Sequence, residues 1–116
     1  MSSHEIRVEA CEGHGIVRVK GYFSGPAAKD ARDQIENVLD EQRIRFLFDF
    51  SECNLINSPG VVGLTEITYR IVEDFQGRMV ITGLDDLKIR VLKMAGIFPK
   101  SDIAATVDDG LKILLA

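Results

Sequence analysis

The sequence predicts an α/β sandwich, a mixed sheet of four to five strands covered by about four helices. Three observations carry that prediction. Near the N-terminus two short runs alternate apolar with polar residues, as half-buried strands do. Ile44 to Phe50 is almost continuously apolar, as a central strand covered on both faces must be. Between the strand-like runs lie segments with apolar residues at helical spacing, the order that parallel crossovers require. With 116 residues, 46% of them hydrophobic and 28% charged, the chain can hide roughly two-thirds of its unfolded surface. One domain spanning residues 1–116 is therefore expected, without disulfide or metal staples.

In the first run Ile6, Val8 and Ala10 alternate with Arg7 and Glu9. After a Glu12-Gly13-His14-Gly15 turn, Val17 and Val19 alternate with Arg18 and Lys20, which predicts an antiparallel hairpin. Ser24-Gly25-Pro26 opens a helix, with Ser or Gly at the cap and proline in the first turn. Ala28, Ala31, Ile35, Val38 and Leu39 line its inner face and Lys29, Asp33, Glu36 and Asp40 its outer one, with an end expected near Glu41. The central strand contains one acid, Asp49, and Ser51 to Asn57 resembles a polar connector with Leu55 and Ile56 inserted.

Ser58-Pro59-Gly60 starts the second helix, with Ser58 as cap and Pro59 at the first helical position. Val61, Leu64, Ile67, Ile71, Val72 and Phe75 fall within one inward arc, whereas Val62, Glu66 and Tyr69 fall outside it. Gly77 ends this helix and Met79 to Thr82 forms a short buried strand. Gly83-Leu84-Asp85 turns into a third helix bearing Leu87, Val91 and Ala95, which Gly96 stops. A brief strand over Ile103 to Val107 and a last helix opened by Asp108 or Asp109 complete the chain.

Fourteen Lys and Arg against eighteen Asp and Glu give a net charge of −4, which argues against a nucleic-acid partner. There is no apolar run long enough for membrane insertion and no leader-like start, so a cytoplasmic location is expected. Cys11 and Cys53 lie in no redox or zinc spacing and are expected as free, buried thiols. Phosphate loops, dinucleotide fingerprints and helical zinc-protease motifs are all missing, so neither cofactor nor metal is expected. His4 and His14 fall where histidines are usually solvated.

Asp49, at the exit of a buried strand, would point toward the crevice where α/β sheets gather ligands. The simpler role is to accept backbone hydrogen bonds from the residues that follow. Ser58 is either a cap or a point of recognition or phosphorylation, since a helix start favours an added anion. Val62, Glu66, Tyr69 and Glu73 form a stripe on the same helix, suited to docking or to ordinary solvent exposure.

The run Phe48-Asp49-Phe50-Ser51-Glu52-Cys53-Asn54-Leu55-Ile56-Asn57-Ser58-Pro59-Gly60-Val61-Val62-Gly63-Leu64 resembles the central signature of STAS domains, the anti-sigma factor antagonist (anti-anti-sigma factor) family. Val17-Arg18-Val19-Lys20-Gly21 resembles that family's second strand, and Val80-Ile81-Thr82-Gly83-Leu84 with Val91 to Ile97 its later strand and third helix. The resemblance implies a non-enzymatic, cytoplasmic partner-switching regulator of bacterial transcription. Its partner would be an anti-sigma factor or kinase-like regulator, with room for a homodimer. Aligned on Gly60, the place read as the family's phosphate acceptor is Pro59, which has no hydroxyl; Ser58 and Asn57 match the serine and the acid before it. Gly21-Tyr22-Phe23-Ser24 stands where many antagonists carry Gly-Glu-Leu-Asp, so those acids are gone.

On this reading Asn57, Ser58, Pro59, Gly60, Val62, Glu66 and Tyr69 form the partner-binding surface. Ser58 is the candidate for modification and Asp49 a structural or crevice acid. Two other expectations stay open: an accessory STAS subunit of a lipid or anion transporter, and a small phosphoryl-transfer enzyme built on Asp49 and Ser58, for which base, acid cluster and phosphate loop are lacking.

Overall fold

The alternating runs at the start of the chain form the hairpin they predict, in a computed structural model that describes residues 3–116. Strand β1 (His4–Cys11) pairs antiparallel with β2 (His14–Phe23), with Ile6 opposite Val19 and Val8 opposite Val17. Only Glu12 and Gly13 make the turn. His14 and Gly15, expected within it, already pair with Cys11 and Ala10.

The remaining strands, β3 (Arg45–Ile56), β4 (Arg78–Thr82) and β5 (Asp102–Ala104), add in parallel to give one sheet in the order β1-β2-β3-β4-β5. Helices α1 (Gly25–Glu36), α2 (Ser58–Tyr69) and α3 (Asp86–Met94) form the crossovers, and α4 (Val107–Leu114) follows the last strand. Phe46, Phe48 and Phe50 of β3 project into the larger core, against Ala28, Ala31 and Ile35 of α1, Leu64 and Ile67 of α2 with Ile71 just beyond it, and Leu92 of α3. Each such buried phenylalanine contributes about 1.5–3 kcal/mol by leaving water. On the other face Ile16, Leu47 and Val80 pack under Leu114 of α4.

Several boundaries depart from the sequence reading. Helix α1 stops at Glu36 rather than near Glu41. Beyond it the amides of Val38 and Leu39 both donate to the Ile35 carbonyl, and Arg43 donates to the carbonyls of Val38 and Cys11. Leu39 is thereby dropped into the core.

The supposed connector Ser51 to Ile56 is strand. It pairs with β2 alone, from Glu52 opposite Lys20 to Ile56 opposite Phe23, because β4 ends at Thr82 opposite Asp49. Four of its six residues, Ser51, Glu52, Asn54 and Leu55, are exposed, which is why it looks like a loop.

Helix α2 widens into a π-helical turn over Arg70–Asp74 and ends before Gly77; Gln76 takes the left-handed backbone (φ 54°). Helix α4 is capped by Thr106, whose Oγ1 accepts from the Asp109 amide at 3.1 Å, so Asp108 and Asp109 lie inside the first turn. Strand β5 ends at Ala104, short of Val107. Both cysteines are free, but only Cys53 is buried; Cys11 is half-buried. Burial pushes the Cys53 thiol pKa up.

Candidate functional site at the start of helix α2

The chain leaves β3 at Ile56 and enters α2 through one polar residue, Asn57. Asn57, not Ser58, is the cap: its Oδ1 accepts the Gly60 amide at 2.8 Å, and its backbone is extended. Ser58 and Pro59 are therefore the first residues of the helix itself, one position further in than the sequence suggests, and both are exposed. The Ser58 hydroxyl has no capping duty.

The corner is fixed from beneath. The Asn57 amide donates to the Phe23 carbonyl at 3.3 Å, tying the start of α2 to the end of β2. A Cβ on Gly60 would lie 2.1 Å from that same carbonyl oxygen, so no larger residue fits without moving backbone. One turn on, a Cβ on Gly63 would lie 2.3 Å from the Ala28 Cβ, which lets α1 and α2 touch almost backbone to backbone. Two cross-helix ion pairs finish the clamp: Arg32 with Glu66 at 3.5 Å, and Arg70 with Glu36 through two hydrogen bonds of 2.9 and 3.0 Å. The Arg70 guanidinium holds the Glu36 carboxyl below the ordinary glutamate pKa.

On the outer face of α2 the predicted stripe is present. Val62 is 59% and Tyr69 48% exposed, with Glu66 exposed between them. Glu73 is drawn to Lys100, whose ammonium sits 4.9 Å from the centre of the Tyr69 ring. The ammonium therefore bridges Glu73 and the face of the Tyr69 ring, a cation–π contact. Asn57, Ser58, Pro59, Gly60, Val62, Glu66 and Tyr69 all lie on one helix and its cap, but not all point outward. Gly60 is buried and acts through backbone fit, and Glu66 is engaged by Arg32.

Asp49 belongs elsewhere. Because β3 runs on to Ile56, Asp49 is in mid-strand and not at its exit, on the face opposite the phenylalanines. It lines a small hollow of about 100 Å³ with Glu5, Arg7, Arg18, Lys20, Ser51 and Glu52. Its Oδ1 accepts the Ser51 amide at 2.9 Å, the backbone role expected of it.

At Gly21-Tyr22-Phe23-Ser24, Tyr22 is half-buried and Phe23 fully buried, while Ser24 caps α1 by accepting the Ala27 amide at 3.4 Å. His4 pairs with Asp30 at 3.4 Å, and His14 Nδ1 lies 3.3 Å from the Glu12 carbonyl oxygen. Among the described residues no group of three or more His, Cys, Asp or Glu is placed to hold a metal ion, and no helix is long and apolar enough to cross a membrane.

What the sequence reading missed is a set of fitted contacts, Gly25 against Pro59 and Gly63 against Ala28. The small residues at those four places were the available signal. It also missed an apolar strip on α3, where Leu87 and Met94 point to solvent.

A mixed five-stranded sheet with helices α1–α3 on one face and α4 on the other, and a capped helix rising from the central strand, defines the class. The STAS domain profile matches residues 5–110, and the chain belongs to the STAS domain family. Solved structures share the fold at low identity. An anti-sigma factor antagonist from Mycobacterium paratuberculosis superposes with a TM-score of 0.80 at 18% identity, over 98% of this chain and 96% of that one. The phosphorylated form of the Bacillus cell fate determinant SpoIIAA gives 0.72 at 19% identity, over 94% and 98%. The murine anion transporter Slc26a9 gives 0.74 at 12% identity, over 99% of this chain but 22% of that one. No curated protein matches the chain at a significant level.

Proposed function

We propose that this chain is a non-enzymatic, protein-binding regulator: a cytoplasmic anti-sigma factor antagonist or related partner-switching component acting as a single STAS unit. The supporting observation is the fixed corner of α2, where Ser58 and Pro59 stand exposed beside Val62 and Tyr69 on a helix clamped to both β2 and α1. A rigid, partly apolar patch with an aromatic anchor is what a partner can grip with little loss of side-chain entropy. The partner is an anti-sigma factor or kinase-like regulator. Catalysis is not part of this reading: His4 pairs with Asp30 of α1, His14 lies against the Glu12 carbonyl, and Asp49 accepts the Ser51 amide.

Pro59 cannot carry phosphate, so this copy is not switched at the family's usual place and is constitutively competent or regulated by something else; Ser58 is the neighbouring hydroxyl. Phosphate there would sit at the positive end of α2 and add up to about two negative charges to the docking face.

Affinity capture from the native cell, with the wild-type chain and with Val62→Asp and Tyr69→Ala, tests the reading. A kinase-like regulator retained by the wild type and lost by both variants supports it, and capture unchanged by either substitution contradicts it. Full-length superposition on part of an anion transporter favours a second reading, an accessory subunit of a membrane transporter. Co-purification with a permease would select that one.

A further inference from the structure

Helix α3 is seated unlike its neighbours. Leu92 is its one fully buried side chain, while Leu87 is 67% and Met94 83% exposed, with Val91 partly so. At i, i+4 and i+7 these three make one apolar row along the outer side of the helix. Leu55, exposed on the free edge of the β3 arm, extends it, and a hollow of about 190 Å³ lies between Leu55, Leu87 and Val91.

A second row runs beside the first with the same spacing: Asp86, Arg90 and Lys93. Among the described residues none of these three makes an ion pair within the chain, although most other exposed arginines and lysines do. The row is acidic at the helix start and basic toward its end. A helix built this way is complementary to itself when a copy lies against it in the opposite direction.

We propose that α3 is a self-association face, on which a second copy of this chain docks through its own α3, antiparallel and related by a two-fold axis. In that arrangement the two apolar rows meet, with Leu87 of one copy beside Met94 of the other. The charged rows then fall on the same side of the seam. Asp86 of each copy meets Lys93 of the other, twice over, with Arg90 within reach of the same carboxylate. Antiparallel helix dipoles add to the match. The row is short, so the dimer is weak and concentration-dependent, of the class that buries less than roughly 1,200 Å². None of these residues belongs to the α2 corner, so the inference stands apart from the proposed function.

Analytical ultracentrifugation of the chain at rising concentration tests it. The wild type dimerises below about 1 mM, with a Kd that rises with added salt. Leu87→Asp is monomeric throughout with an unchanged circular dichroism spectrum and Tm, because Leu87 contributes little to the core. Asp86→Lys weakens association at least about tenfold, and the exchanged pair Asp86→Lys with Lys93→Asp restores it. A wild type that stays monomeric to about 1 mM overturns the proposal. So does a dimer indifferent to Leu87→Asp, or an exchanged pair that fails to restore association. If the chain is monomeric and Leu87→Asp instead weakens capture of a regulator, the strip belongs to that partner and not to a second copy.

Discussion

Helices α2 and α3 make similar connections and are held in opposite ways. Each follows a parallel strand, and each begins with a side-chain cap whose oxygen accepts a backbone amide at 2.8 Å, Asn57 for α2 and Asp85 for α3. From there they diverge. Helix α2 buries Leu64, Ile67 and Thr68, presses two glycines against its neighbours, and exchanges ion pairs with α1. Helix α3 rests on Leu92, with Ile89 half-buried, and turns Leu87, Val91 and Met94 outward. Capping starts a helix, but close backbone approach and buried side chains decide how firmly it is held. The firmly held one bears the surface proposed for a regulator, and the lightly held one the apolar and charged rows proposed for self-association.

That contrast is broken most severely at Gly60. Gly60→Val drives side-chain atoms into the Phe23 carbonyl and is expected to cost roughly 3 kcal/mol or more, seen as a lower urea midpoint or failure to fold. Leu92→Ala, which removes the one deep anchor of α3, is expected to cost about 3 kcal/mol in the same experiment. If Leu92→Ala were nearly neutral, α3 would be held by something other than this contact. Asn57→Ala loses a cap and should destabilise by about 1 kcal/mol, with Asn57→Asp close to wild type.

A smaller effect tests the clamp between α1 and α2. Glu36 titrates below its unfolded value because Arg70 favours its charged form, so its contribution is complete above the ordinary carboxylate range, about pH 4. It is lost as the pH falls through the lowered folded value. Thermal melts from neutral to acid pH should therefore show a shallower acid-side decline in Glu36→Gln than in the wild type; identical slopes would remove the pair from the account. The smallest effect is expected at Leu87→Ser, where stability stays within about 0.5 kcal/mol despite loss of a leucine.

Most of the architecture was legible because period-two and 3.6-residue patterns survive in a chain whose core is mainly aliphatic and phenylalanine. The resemblance carried by Phe48 to Leu64 pointed to the family whose profile matches residues 5–110. Three things were hidden, each for a physical reason. The second half of β3 has one paired edge and alternates poorly, so it looked like a loop. The true cap of α2 is Asn57 because an asparagine oxygen reaches the third amide as well as a serine does, and sequence does not rank them. In α3, Leu87 and Val91 have the spacing of an inward row, yet Leu92 is the residue that sinks. A nine-residue helix with apolar side chains on two sides does not declare which side is covered.

If the α2 corner is where a partner is gripped, changes there and not elsewhere must weaken binding. The most direct measurement is a titration of the captured regulator into four forms of the chain: wild type, Val62→Asp, Tyr69→Ala and Leu87→Asp, each checked for an unchanged melt. The two α2 variants are expected to lose at least about tenfold in affinity, while Leu87→Asp binds as the wild type does. Undiminished binding by Val62→Asp and Tyr69→Ala would contradict a grip at that corner.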